Sequence, residues 1–216
     1  MKVMKKIILG MTLFSSVAMG AEGTNVYLKT GADLWQKFNV IKDEDIKMNK
    51  KEADKLGYEI TTEVTREIYP HLELGLGISY QEHGKPKQEI IDGDFYKIPE
   101  MSSIPIYLTA KYNIQTEMAI RPYIKADLGY SINKLKSSKI KYGDVTDAYF
   151  NSEVDANIDN GAYFGIGTGF EYNNFTADIM YKVNRAKLKA GDENYSIKKD
   201  IDYSRVTLSV GYKFNL

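Results

Sequence analysis

The chain has 216 residues, no cysteine, and 29 acidic against 29 basic side chains, so its formal net charge is zero. This length fits one domain, and the absence of cysteine excludes a disulfide-stapled miniature. The balanced charge gives no indication of a nucleic-acid partner.

The first twenty residues have the three parts of a secretory signal peptide. Lysines open the segment, an apolar run covers residues 7–13, and small residues close it. A membrane anchor is the alternative, but the apolar stretch is well short of the ~20 residues that span a bilayer. Ala18 and Gly20 supply the small side chains that a signal peptidase requires, which predicts cleavage between Gly20 and Ala21 and a mature domain over residues 21–216.

The mature chain alternates apolar and polar residues in eight segments, as strands with two unlike faces do. In the first segment, Phe38 falls on the apolar face and Lys37 on the polar face. In the fourth, Pro105 removes one ladder hydrogen bond, which predicts that the strand begins near it. In chain order the segments cover residues 26–38, 56–65, 72–81, 104–112, 120–132, 161–172, 175–184 and 205–216.

Short and long connections alternate between these segments. The short ones contain Tyr69-Pro70, Gln115-Thr116-Glu117 and Asn173-Asn174, and the long, charged ones lie around Asp43, Lys87, Tyr142 and Asn194. Short periplasmic turns and long external loops are typical of outer-membrane barrels. The pattern predicts an all-β, eight-stranded antiparallel up-and-down transmembrane β-barrel with periplasmic N- and C-termini and four long external loops.

Aromatic residues on the apolar faces are expected at two heights, as in the girdles of a membrane barrel. A soluble sandwich or lipocalin-like barrel is the alternative, but the loop alternation, the girdles and the glycines on the polar faces favour a membrane barrel. The predicted outer rim contains Tyr58, Tyr80, Tyr130, Phe164 and Tyr181, and the inner rim contains Tyr112, Tyr172, Phe175 and Phe214.

The polar faces of the eight segments carry eight cations and eight anions. Lys37 and Glu67 belong to this set of sixteen but not to the lumen network defined below. An eight-stranded barrel has an interior that side chains fill, so these groups are expected to pair inside it and close the lumen. The predicted lumen network consists of the other fourteen: Lys29, Asp33, Glu59, Glu63, Glu73, Lys111, Arg121, Lys125, Asp127, Glu171, Asp178, Lys182, Arg205 and Lys213.

The last strand ends in a pattern that resembles the sorting signal read by the outer-membrane barrel-assembly machinery. Its polar-x-Gly-x-x-aromatic-x-hydrophobic spacing is formed by Ser209, Gly211, Phe214 and Leu216, although family members usually end in phenylalanine. With segments such as residues 104–112 and 121–130, the mature chain is similar to the eight-stranded outer-membrane β-barrel domain family, the OmpA, OmpX and opacity-like group. The resemblance implies an outer-membrane location and no single activity.

Three functions are compatible with such a barrel. The first is a monomeric structural or surface-adhesion protein that contacts outer-membrane lipid and meets a host or surface ligand through its loops, the longest of which covers residues 134–159. The second is a narrow small-ion pore. The third is a lipid-modifying enzyme, for which His83, with Ser79 four residues before it, is a candidate. No catalytic site is predicted, because both His71 and His83 are expected to be solvated turn residues. No metal or cofactor site is predicted either, because the acidic clusters of the first two loops lack a recognised ligand spacing and the chain has no glycine-rich phosphate loop.

Overall fold

The computed structural model describes residues 23–40, 51–52, 56–83, 89–91, 94–97, 99–144, 152–192 and 195–216. The predicted cleavage site at Gly20 and Ala21 lies outside these residues. The described part contains no helix long and apolar enough to span a membrane. Its strands are β1 (Thr24–Val40), β2 (Lys51–Glu52), β3 (Tyr58–Tyr69), β4 (Leu72–Glu82), β5 (Glu89–Ile91), β6 (Asp94–Lys97), β7 (Met101–Asn113), β8 (Ile120–Leu135), β9 (Lys139–Asp144), β10 (Ser152–Asp159), β11 (Gly161–Tyr172), β12 (Phe175–Asp192) and β13 (Tyr195–Asn215).

Eight of these strands form a closed antiparallel barrel, which confirms the predicted all-β, eight-stranded architecture. The ring runs β1, β3, β4, β7, β8, β11, β12, β13, and β13 pairs with β1 from Asn25 opposite Asn215 to Val40 opposite Ile201. The first and last described residues lie at one end of the barrel, where the Gly23 amide donates to the Leu216 carbonyl at 2.9 Å. Closure leaves the wall without an unpaired edge.

Tight turns at His71 and Asn173 lie at the same end as Gly23 and Leu216, and we call this end the turn end. Both residues have positive φ, 70° and 53°. Histidine and asparagine are among the residues enriched in this left-handed region. The opposite end carries the long connections, and we call it the loop end.

The loop end is more regular than expected, because several of the predicted loops are β-structure. The β12–β13 hairpin stays paired until Asp192 lies opposite Tyr195, and β10 continues the sheet beside β12. Strands β9, β6 and β5 then add to β10 in that order. We call β5, β6, β9, β10 and the upper parts of β12 and β13 the loop-end extension. Tyr142 lies in β9, whereas Asp43, Lys87 and Asn194 lie outside the described residues.

A β-bulge reverses the alternation of β1, so the predicted orientation of Phe38 and Lys37 is wrong. Asp33 pairs with Thr207 but Trp35 pairs with Val206, which leaves Leu34 as an extra residue. An inserted residue exchanges the two faces of the strand beyond it. Phe38 is therefore buried inside the barrel, and Lys37 is displaced from the lumen side.

Pro105 lies inside β7, so the prediction that the strand begins near it is also wrong. The strand begins four residues earlier, at Met101. Pairing with β8 is continuous through the proline, and Pro105 lies opposite Ser131. On the other side, the β4–β7 register passes from Ile78 directly to Gln81. Proline has no amide hydrogen to donate, which accounts for this local interruption.

The barrel has an apolar exterior and a polar interior. Thirty large hydrophobic side chains are exposed on the described surface, and most of the buried side chains are polar or charged. A soluble protein has the opposite distribution. The girdle residues Tyr58, Tyr130, Phe164 and Tyr181 are exposed near the loop end, and Tyr112, Tyr172, Phe175 and Phe214 are exposed near the turn end.

Candidate functional site

The candidate site is the barrel interior, because the wall strands direct their charged side chains into it at alternate positions. Thirteen of the fourteen lumen-network residues are buried, and Arg121 is the exposed one. Each of the fourteen takes part in at least one ion pair with another member. Glu67 is exposed near the end of β3, where it accepts a hydrogen bond from the His71 amide.

The layer nearest the loop end is organised by Arg205 of β13. Its guanidinium donates to Asp33 of β1 at 3.1 Å and to Glu59 of β3 at 2.6 Å. The Lys182 ammonium, on β12, also contacts Glu59. Arg205 is fully buried, so its charge depends on these two carboxylates for compensation. One cluster thus connects four wall strands.

The middle layer connects opposite sides of the barrel. The Lys29 ammonium lies 2.8 Å from Asp178 and 3.3 Å from Glu63. The Lys125 ammonium contacts the same Glu63, and it lies 3.4 Å from Asp127. Since β3 and β8 are three strands apart in a ring of eight, the contact between Lys125 and Glu63 crosses the lumen.

The layer nearest the turn end is built on Glu171 of β11. It accepts from Lys111 at 2.9 Å, from Lys213 at 2.7 Å and from Arg121 at 3.1 Å. Lys111 also lies 3.1 Å from Glu73. Below this layer an open cavity of about 560 Å³ faces the turn end, and the exposed side chain of Arg121 lines it.

Five buried tyrosines also lie in the lumen. The network predicted from the sequence contained only charged residues and did not include them. Tyr27 donates to Glu73 at 2.9 Å and accepts from Lys111 at 2.8 Å, and Tyr123 donates to Asp178 at 3.0 Å. The Lys111 ammonium is 4.8 Å from the ring centroids of both Tyr27 and Tyr123, within cation–π range. The lumen tyrosines are Tyr27, Tyr107, Tyr123, Tyr163 and Tyr203.

An apolar cluster lies inside the barrel toward the loop end, and we call it the apolar cap. Leu135 and Leu188 pack against it. Its position follows from the bulge in β1, which directs Phe38 inward. The cap consists of Phe38, Met101, Ile158, Ala186, Ile201 and Tyr203.

His83 is buried beneath this cap, so the expectation that it is a solvated turn residue is wrong. Its ring centroid lies 4.1 Å from that of Tyr203, and its Nε2 shares a 2.8 Å hydrogen bond with Ser103. Ser79 instead contacts Thr61 at 2.6 Å. His83 is 2% exposed, and it therefore does not face lipid. His71 lies in the turn, where it is partly exposed.

The C-terminal residues show how the last strand closes the ring. Ser209 is buried and lies 3.3 Å from Glu59, whereas Phe214 faces outward and packs edge-on against Tyr212. A Cβ at Gly211 would lie 2.5 Å from the Lys29 side chain, so a small residue is needed there. The Leu216 amide donates to the Thr24 carbonyl at 2.9 Å. Recognition by the assembly machinery stays a prediction.

A closed ring of strands with an apolar exterior, aromatic girdles and a charged interior defines an integral outer-membrane β-barrel. The chain belongs to the outer membrane protein beta-barrel domain family, whose model matches residues 7–214. The protein is therefore located in the cell outer membrane, in contact with its lipid.

Individual relatives support this assignment. The uncharacterized protein PM1543 of Pasteurella multocida (strain Pm70) is 32% identical over 234 residues, and the match covers 98% of each chain. Among solved structures, OprG of Pseudomonas aeruginosa matches with a TM-score of 0.56 at 17% identity, over 90% of this chain and 97% of that one. The outer membrane protein AlkL, solved in lipid bilayers, matches with a TM-score of 0.50 at 13% identity, over 90% and 92%. The two structures show the fold alone.

The first prediction concerns Glu59, which compensates two buried cations. The Glu59→Gln variant is expected to lose about 3–5 kcal/mol of unfolding free energy. The substitution removes the carboxylate that compensates the buried charges of Lys182 and Arg205. The measurement is urea unfolding of the barrel in phospholipid vesicles, followed through Trp35, the single tryptophan.

Asp200→Asn is the matched control for that experiment. Asp200 pairs with Lys187 at 3.9 Å, but both side chains are more than half exposed. The expected loss is about 0–1 kcal/mol, as for other surface ion pairs. Equal stability of the Glu59→Gln variant and the wild type would contradict the assigned role of Glu59.

The second prediction concerns the lipid-modifying alternative. Because His83 is buried under the apolar cap, His83→Ala is expected to leave the lipid A of expressing cells unchanged, as judged by mass spectrometry. Ser103→Ala, which removes the hydrogen-bond partner of His83, is the companion variant. Loss of a lipid A modification in either variant would instead assign catalysis to this pair.

Proposed function

We propose that the protein is a closed, non-conducting outer-membrane barrel whose role is structural or adhesive, and whose working surface is the loop-end extension. The observation that carries this proposal is the set of ion pairs that crosses the lumen at successive heights. The Lys125–Glu63 and Lys182–Glu59 contacts each join strands three positions apart in the ring.

These contacts support a closed lumen and weigh against the pore. An open path along the axis would require several buried pairs to separate together, and each separation leaves an uncompensated charge. Tyrosine rings fill the space between the pairs, and the apolar cap lies above them. An eight-stranded barrel has little room for water beside such contents.

The loop-end extension supports an external role. Strand β12 continues for eleven residues beyond the girdle residue Tyr181, which is roughly 35 Å of strand at about 3.3 Å per residue. Its pairing with β13 is continuous over this length, and β10 and β9 widen the sheet. A paired sheet holds a binding surface away from the membrane with less loss of conformational entropy than a flexible loop.

The third prediction tests this role by shortening the β12–β13 hairpin. Residues 189–198 are replaced by Asn-Gly, which joins the paired residues Leu188 and Lys199 through a two-residue turn. Cells expressing the full chain are expected to adhere to at least one surface of a panel coated with collagen, fibronectin, heparin or epithelial cells. The shortened variant is expected to adhere no better than cells without the protein.

A second variant separates the shape of the extension from its length. It keeps ten residues at positions 189–198 but makes them glycine and serine, which do not favour a strand. Surface labelling confirms equal display of all three proteins. The proposal fails if full-chain cells adhere to none of these surfaces better than cells without the protein, or if the shortened variant adheres as well as the full chain.

A further inference from the structure

A groove on the outer wall lies immediately above the upper girdle, where β10 meets β11. It has a volume of about 500 Å³ and is lined by residues of β11, β12 and β13 and by Asn160. Arg185 and Lys187 of β12 contribute its cations, and Asp200 and Asp202 of β13 its anions. We call this feature the interface groove. It is separate from the lumen network, whose side chains face inward.

The groove results from a mismatch in strand register. Asp159 pairs with Lys187 and Tyr163 pairs with Asn184, so three residues on one side face two on the other. An extra residue of this kind bends the strand and opens the wall locally. Gly161 is required there, because a Cβ on it would lie 2.2 Å from the Arg185 carbonyl oxygen.

The height of the groove matches that of lipid headgroups. The Arg185 guanidinium lies 5.6 Å from the ring centroid of Phe164, a residue of the upper girdle. Girdle aromatics lie at the boundary between acyl chains and headgroups. Ile166, 64% exposed, lies below Phe164 on the same strand and faces the acyl chains. A molecule that occupies the groove would therefore contact charged side chains above. Below them it would contact Phe164 and Ile166, which we call the apolar track.

The cations of the groove are available to a ligand, in contrast to those of the lumen. Arg185 and Lys187 lie 3.8 and 3.9 Å from Asp202 and Asp200, and both cationic side chains are more than 60% exposed. Within the described residues neither cation donates a hydrogen bond. The groove thus contains two cations and two aspartates, and the length of both ion pairs leaves the cations able to bind another anion.

We propose that the interface groove binds the phosphate of an anionic lipid headgroup in the leaflet at the loop end. Arg185 presents a planar fork that suits phosphate oxygens, and Lys187 adds a second charge. The phosphate replaces Asp200 and Asp202 as counter-ion, because long, exposed ion pairs contribute little. The apolar track beneath favours a lipid over a soluble anion.

The test is native mass spectrometry of the folded protein in detergent with an equal mixture of phosphatidylglycerol and phosphatidylcholine that have the same acyl chains. The wild type is expected to retain phosphatidylglycerol about tenfold more than phosphatidylcholine, equivalent to ~1.4 kcal/mol. The double variant Arg185→Gln/Lys187→Gln is expected to retain the two lipids about equally. Circular dichroism verifies that it remains a barrel.

The matched control removes two other cations at the same end, through Lys136→Gln/Lys189→Gln. Lys189 pairs with Asp159 at 2.7 Å, and Lys136 donates to Glu100 at 2.7 Å. The Lys136 ammonium contacts both Glu100 and Glu82, and these hydrogen bonds raise its pKa. This variant is expected to keep the wild-type lipid preference.

Three results would overturn the proposal. The first is a wild type that retains both lipids equally, and the second is a groove variant that keeps the preference. The third is loss of the preference when excess inorganic phosphate is added, because this would indicate a site for the free anion. The proposal is independent of the adhesive role, so failure of either experiment leaves the other interpretable.

Discussion

The interior of an eight-stranded barrel is filled by side chains, so a charge placed there requires an opposite charge within reach. The described lumen meets this constraint with seven cations and seven anions, arranged in layers around Arg205, Glu63 and Glu171. Backbone pairing closes the ring, and the layers connect strands that are distant in the ring. The lumen network therefore occupies the barrel interior and joins strands that backbone pairing leaves apart.

The exterior is apolar because it faces lipid instead of water. Residues such as Leu108, Ile166 and Val210 are more than half exposed, which lipid tolerates and water does not. Above the girdles the outer wall becomes charged within four residues of Tyr181 and two of Phe164, where Arg185 and the interface groove begin. The same strands thus contact three environments in turn.

The fold could be predicted from the sequence because strand alternation is local and repeats eight times. Alternation also places the network residues on common faces, although their partners depend on the ring order. The direction of Phe38 could not be predicted, since the bulge at Leu34 depends on pairing with β13. The burial of His83 depends likewise on the distant Tyr203. Tyrosine is suited both to a polar lumen and to a membrane interface, so residue type alone does not predict which tyrosines face the lumen.

Single-channel recording tests the central claim most directly. The wild-type protein is refolded into a planar lipid bilayer, and current is recorded at both polarities over a range of voltages. A lumen closed by paired charges predicts no stable conductance steps. Reproducible steps of constant size from the wild-type protein would contradict a closed lumen and would favour the small-ion pore.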